Sequence, residues 1–275
     1  MITAPDVIES ILSEAARLGK ADETIVIVAE KSTASLRWAG NSMTTNGESL
    51  SRETAVISIV RRGDAAHVGS VTSSEVDPGS VTGLVAASQD AANAAPAARD
   101  SAPALTGSAV PADWETAVPV TGCDVFGSVA TSLATGFRGA DQLYGFARHE
   151  LETTFLATST GLRRRFTQPT GSVEINAKRD GASAWAGVGT PDFVSVPTDS
   201  MLETLSTRLD WSRRMVSLEP GRYETLMPPS TVADMMIYLG WTMDGRGAQE
   251  GRTALSTPGG TRVGERLTDL GLTLY

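Results

Sequence analysis

Val7, Ile8, Ile11, Leu12, Ala15 and Leu18 recur at the three-and-four spacing of one helical face, and Gly19 offers a stop. That spacing predicts a helix over residues 6–18. The β-branched run at residues 24–29 reads as a strand, and residues 35–39 as a second one. Residues 54–60 and 65–71 flank Arg61-Arg62-Gly63-Asp64, a pattern that predicts a β-hairpin turning at Gly63. Asp77-Pro78-Gly79-Ser80 is then a turn leading into an alanine-rich helix over residues 81–95. Helix, strands, hairpin and helix in that order predict an α+β class, with antiparallel sheets and helices packed on one face.

Past this point the pattern changes. Pro96, Pro103, Pro111 and Pro119 punctuate an Ala/Ser/Thr-rich stretch that reads as an extended surface connection. A helix is expected at residues 125–136. Strands are expected at 142–150, 152–158, 162–167, 172–177 and 183–188. Their turns fall at Thr160-Gly161, Pro169-Thr170-Gly171 and Asp180-Gly181. Residues 199–216 return to helical spacing, residues 222–227 read as a strand, and Pro228-Pro229 open a helix reaching Thr242. A last strand is expected at 267–275. The expected organisation is therefore an α+β module over residues 1–100, a connection over 101–122, a helix plus antiparallel meander over 123–217, and a further region over 218–275.

Composition narrows the classes. The 275 residues are 41% apolar, 20% charged and 5% aromatic, which suits a globular protein with an aliphatic core. No apolar run approaches the roughly 18 residues of a membrane span. Asp6, Glu9 and Glu14 precede Arg17, so the N-terminus does not read as a signal peptide. A formal net charge of −9 argues against direct nucleic-acid binding, which draws on clustered Lys and Arg. Cys123 is the only cysteine, so there is no disulfide framework, consistent with a cytoplasmic location.

The supply of catalytic groups is thin. His67 and His149 are the two histidines, far apart in sequence, so a zinc site built from nearby histidines is nearly excluded. His149-Glu150 opens like a zinc-peptidase motif, but Thr153 and Thr154 stand where the second histidine would fall. No Gly-x-Ser-x-Gly elbow accompanies either histidine. Cys123 follows Gly122 at an expected helix start, where a thiol has a lowered pKa or is a small buried apolar group. Gly187-Val188-Gly189 reads as a tight turn, not a phosphate loop, because no helix follows it. Arg163-Arg164-Arg165 alternate across a strand, as a charged protected edge or as a contact for an anionic partner. Val232, Met235, Met236 and Leu239 form an apolar stripe facing a core or an interface.

Several segments together resemble one family. Residues 52–72 with the turn and alanine-rich helix after them are similar to the N-terminal module of the TldD/PmbA family. The same holds for the Ser159-Thr160-Gly161-Leu162 turn and for Leu218-Glu219-Pro220-Gly221-Arg222-Tyr223-Glu224-Thr225-Leu226-Met227-Pro228-Pro229. Gly251-Arg252-Thr253-Ala254-Leu255 and Gly264-Glu265-Arg266-Leu267 continue the likeness. The resemblance implies one of two related subunits of a heterodimeric cytosolic metallopeptidase. The TldD-like subunit of that family carries a His-Glu-x-x-x-His helix that binds zinc. Here the matching helix reads Ala233-Asp234-Met235-Met236-Ile237-Tyr238-Leu239-Gly240, without histidine. The resemblance thus implies a PmbA/TldE-like, non-catalytic subunit, with no catalytic, cofactor or metal residue of its own and zinc on a TldD-like partner. It would help enclose unfolded peptide substrates for proteolysis, and an association with modulation of DNA gyrase would be indirect. The family's β-rich C-terminal domain would follow this sequence, which is then a fragment or a short member. Two other readings stand beside this one: a stand-alone peptide- or protein-binding scaffold, and a hydrolase using His149, Glu150 or Cys123.

Overall fold

Alternation along one long strand sets the architecture. In β1 (Glu23–Trp38), Val26, Val28, Ala34, Leu36 and Trp38 are buried on one face, while their neighbours are less enclosed. In the computed structural model, which describes residues 2–99 and 101–271, β1 sits inside a six-stranded antiparallel sheet. The other strands are β2 (Met43–Arg62), β3 (Ala65–Ser73), β4 (Gln142–Thr158), β5 (Arg163–Arg179) and β6 (Ala182–Gly189). Their order is β3-β2-β1-β4-β5-β6. The chain divides into two compact units, Met1–Met215 and Val216–Tyr275, and the sheet lies wholly in the first.

Four helices cover the buried face of that sheet. α1 (Ala4–Leu18) starts at Thr3, whose Oγ1 accepts from the Asp6 amide, and ends at Gly19 in the left-handed region with φ 63°. With α2 (Val81–Ala94) it packs Ile8, Ile11 and Val85 against Val26, Val28, Val56 and Phe155. α2 lies so close to β3 that a Cβ on Gly69 would stand 2.2 Å from the Ala92 backbone nitrogen. α3 (Gly127–Gly136) and α4 (Thr198–Trp211) form a second cluster at the other end of the same face, with Leu133, Leu205 and Leu209 against Trp38, Leu143 and Ile175. The expected α+β class with helices on one face is what the structure has.

Between these clusters the strands carry polar residues. Arg52 pairs with Glu30 at 2.5 Å, Thr153 meets Thr167 at 2.8 Å, and Ser32 bonds the backbone of Thr121. The segment around Trp114 and Thr121 crosses this belt. Trp114 is buried edge-on against Phe155, with ring centroids 5.3 Å apart.

Several expected boundaries change. The two strands expected within residues 24–39 are one 16-residue strand, and those within 142–158 are one 17-residue strand. The turn expected at Pro169-Thr170-Gly171 is absent: β5 runs straight through it, pairing Pro169 with Leu151. Pro169 is tolerated because β6 begins only opposite Ser172, leaving β5 outermost there. Gly187-Val188-Gly189 continues β6 and forms no turn. β2 begins eleven residues before the expected Thr54, at Met43. α4 stops at Trp211, short of the expected Val216. The hairpin at Gly63 (φ 61°) and the Asp180-Gly181 turn stand as expected.

In the second unit, α5 (Pro229–Thr242) and α6 (Gly245–Gln249) precede a two-residue ladder of β7 (Ser256–Thr257) and β8 (Gly260–Thr261). The strand expected at 222–227 does not form, because nothing pairs with it. Residues 267–271 are likewise not a strand, and 272–275 lie outside the described residues. α5 has no buried residue; of its expected stripe, Met236 and Leu239 are half-buried while Val232 and Met235 are exposed. Among the described residues no helix is long and apolar enough to cross a membrane.

Candidate functional site

Strand alternation separates the two residues of the tempting His149-Glu150 pair. His149 points to the helix-bearing face, where it is buried, and Glu150 points to the open face of the sheet. Both imidazole nitrogens of His149 are engaged: Nε2 lies 2.8 Å from the Pro191 carbonyl oxygen and Nδ1 lies 2.6 Å from Thr121 Oγ1. A carbonyl only accepts, so Nε2 carries the proton and Nδ1 accepts from the threonine hydroxyl. Phe193 stands edge-on to the ring at 5.7 Å. This histidine fastens the crossing segment and the loop after β6 to β4. His67, also buried, engages one nitrogen, with Nδ1 2.7 Å from the Ala95 carbonyl oxygen. Both nitrogens of His149 are thus occupied, whereas His67 engages only Nδ1, and among the described residues no three His, Cys, Asp or Glu side chains converge on a metal position.

Cys123 opens a 3-10 turn, Cys123–Phe126, and is half-buried. Its amide donates to Glu48 Oε1 at 2.7 Å, and its Sγ lies 3.9 Å and 3.8 Å from the Ser35 and Gly47 carbonyl oxygens. The thiol is a weak donor to two strand carbonyls.

On the open face, Glu150 meets a row of charges the sequence does not bring together. Lys31 Nζ lies 3.0 Å from Glu150 and 2.8 Å from Glu152, and Arg148 lies 2.7 Å from Glu150. Burial pushes the Glu150 carboxyl up, but Lys31 and then Arg148 outweigh it and hold the group below the usual carboxylate range. Glu152 and then Glu150 raise the Lys31 ammonium above its ordinary value. Each carboxylate is already neutralised, so the row favours fixed ion pairs over proton transfer. Apolar Ile25, Ile27, Ile57 and Leu156, all half-buried, continue this face.

The sheet also leaves backbone edges open. β3 pairs with β2 only from Thr54 onward, so residues 43–53 of β2 have a strand on one side alone. β6 pairs with β5 only from Ser172, and Thr190 just after β6 donates its amide to the Gly171 carbonyl, which leaves residues 163–170 outermost. The arginine triplet lies on this second edge, and its members do different things. Arg163 bonds Glu9 at 2.7 Å, and Arg164 is exposed on the open face. Arg165 turns inward over the Phe155 ring and donates to the carbonyl oxygens of Asp113, Thr116 and Ala117. Beside the β2 edge lies a recess of about 760 Å³ on the helix-bearing side, lined by Leu50, Arg52, Val76, Trp114, Val118 and Phe155 among others. Sequence reading missed the charged row and this recess, although Arg148, Glu150 and Glu152 stand at the alternation of a strand face.

Comparison with solved structures then gives the fold a place. TldE from Thermococcus kodakarensis matches with a TM-score of 0.58 and 12% identity, over 76% of this chain and 48% of that one. A candidate modulator of DNA gyrase from Bacteroides thetaiotaomicron VPI-5482 matches with a TM-score of 0.65 and 12% identity, over 91% of this chain and 60% of that one. A second candidate gyrase modulator, from Thermotoga maritima MSB8, gives 0.52 and 11%, over 76% and 48%.

The chain has the fold of TldE and these gyrase-modulator proteins.

It spans 48% to 60% of the lengths of these structures. No family model matches the chain, and no curated protein matches it in sequence. The likeness is one of fold.

Proposed function

We propose that this chain is a PmbA/TldE-like, non-catalytic subunit of a TldD/TldE-type zinc metallopeptidase, helping to enclose unfolded peptides for proteolysis in the cytoplasm. The observation that carries the reading is the engagement of both His149 nitrogens within a TldE-like fold. His149 and His67 hold backbone and hydroxyl groups, and α5 has no histidine where the resemblance expects the zinc-binding helix of the catalytic subunit. Zinc and its activated water then belong to a TldD-like partner. The open sheet face and its unpaired edges supply what an extended substrate needs: apolar surface, fixed charges and free backbone hydrogen-bonding groups. Any influence on DNA gyrase then runs through a protein substrate, since the chain carries net charge −9.

Co-expression with a homologue that bears the His-Glu-x-x-x-His helix tests this directly. The expected result is a one-to-one complex that holds zinc and cleaves unstructured peptide, with neither property in this chain alone. Stoichiometric zinc on the isolated chain, peptidase activity without the partner, or failure to form the complex would overturn it.

A further inference from the structure

We infer that residues 43–53 of β2, with the recess beside them, form a docking strand for an extended peptide rich in apolar and basic residues. The inference rests on the peptide-handling reading above and names its site. Three observations meet here. First, β2 offers an edge in line with β3, which leaves it after Ser73. Every second residue of an outer strand points its N–H and C=O away from the sheet, ready to pair with an added strand. The stretch is Met-Thr-Thr-Asn-Gly-Glu-Ser-Leu-Ser-Arg-Glu, without proline or lysine, two usual means of closing an edge.

Second, the recess of about 760 Å³ begins at Leu50 and Arg52, where the incoming strand would place alternate side chains. Leu50 is 71% exposed at its mouth, and Trp114, Val118 and Val76 form apolar wall behind it. Third, the charge at this place is one-sided. Arg52 is consumed by Glu30, and Lys31 points to the other face with Glu150 and Glu152. Glu75 and Glu115, both exposed on the rim, enter no ion pair among the described residues. Glu53 adds an exposed carboxylate on the opposite side of the strand. An extended segment alternating apolar and cationic side chains therefore meets apolar wall and unpaired carboxylates in either register, while an acidic segment meets repulsion.

The test is fluorescence anisotropy of the full chain with a labelled ten-residue peptide of alternating valine and lysine. Saturable binding is expected. N-methylation of every second peptide amide keeps its charge but removes its strand hydrogen bonds, and should weaken binding by about a hundredfold. The double change Glu75→Lys, Glu115→Lys should weaken it about tenfold. Asp192→Lys with Glu203→Lys, an equal change of charge placed elsewhere, should alter it less than about twofold. Thermal melts of both variants check that each is folded. No binding by the parent chain, equal binding of the N-methylated peptide, or equal loss from both charge pairs would overturn the inference. Peptide binding by a chain that captures no TldD-like partner would keep this site and remove the subunit reading. Partner capture without peptide binding would do the reverse.

Discussion

Two stretches of the sheet's edge, in β2 and in β5, make a useful pair, because the same fold leaves both without a strand partner on one side and then treats them in opposite ways. Residues 163–170 of β5 are closed. Pro169 removes one donor, Arg163 is tied to Glu9, and Arg165 is drawn inward to hold the segment carrying Trp114. Residues 43–53 of β2 have no proline; Arg52 pairs with Glu30 and Glu48 accepts from the Cys123 amide, but neither closes the edge, and their neighbourhood is a recess in place of a plug. An unpaired edge is a hazard when it is not used. That one edge is guarded and the other is not therefore points to use at β2.

The contrast can be broken most severely at the guarded side. Phe155 is 1% exposed and supports both Trp114 and Arg165. Phe155→Ala should cost about 4 kcal/mol of stability in urea unfolding. Arg165→Ala should cost about 3 kcal/mol, since it leaves the carbonyls of Asp113, Thr116 and Ala117 without their donor. A loss under about 1 kcal/mol from either change would mean that the crossing segment is not held as described.

Between the two edges, Glu150→Gln should cost about 1 kcal/mol near neutral pH and change the acid side of the stability profile. The sign follows from the lowered Glu150 value. The carboxylate is held more strongly in the folded chain than in the unfolded one, so its contribution is complete above the unfolded value of about 4.5. It is lost as pH falls through the lower folded value. The parent chain should lose stability across that window more steeply than the variant, as urea midpoints at a series of pH values would show.

The smallest effects belong to the edges themselves. Leu50→Ala should change stability by less than about 0.5 kcal/mol, because the side chain is 71% exposed, while weakening the valine–lysine peptide a few-fold. Pro169→Val returns an N–H to the β5 edge and should raise self-association slightly in sedimentation. No change there would assign the closure of that edge to the arginines and not to the proline.

How much of this was legible in the sequence follows from where the apolar pattern holds. α1, the Gly63 hairpin and the α+β class came through because Val7, Ile8, Ile11 and the alternating β-branched residues carry clear periods. The local pattern divides the long strands β1 and β4, and places a turn in β5, for one shared reason. The middle of each crosses between two hydrophobic clusters, where Lys31 and Ser32 in β1, Arg148 and Glu150 in β4, and Gln168 and Thr170 in β5 replace the apolar alternation. Residues 43–53 were missed because an exposed strand buries nothing and so leaves no pattern. The charged row was out of reach because Lys31 lies more than a hundred residues from Glu150 and Glu152, and only the β1–β4 register joins them. His149 was visible as a residue, but the spending of both its nitrogens on Thr121 and Pro191 is a fact of tertiary structure.

The most direct test of the open-edge account is backbone amide exchange of the full chain with and without saturating valine–lysine peptide. The account predicts slowed exchange at alternate residues within 43–53 and no change within 163–170. Protection within 163–170, or none within 43–53 while the peptide is bound, would contradict it.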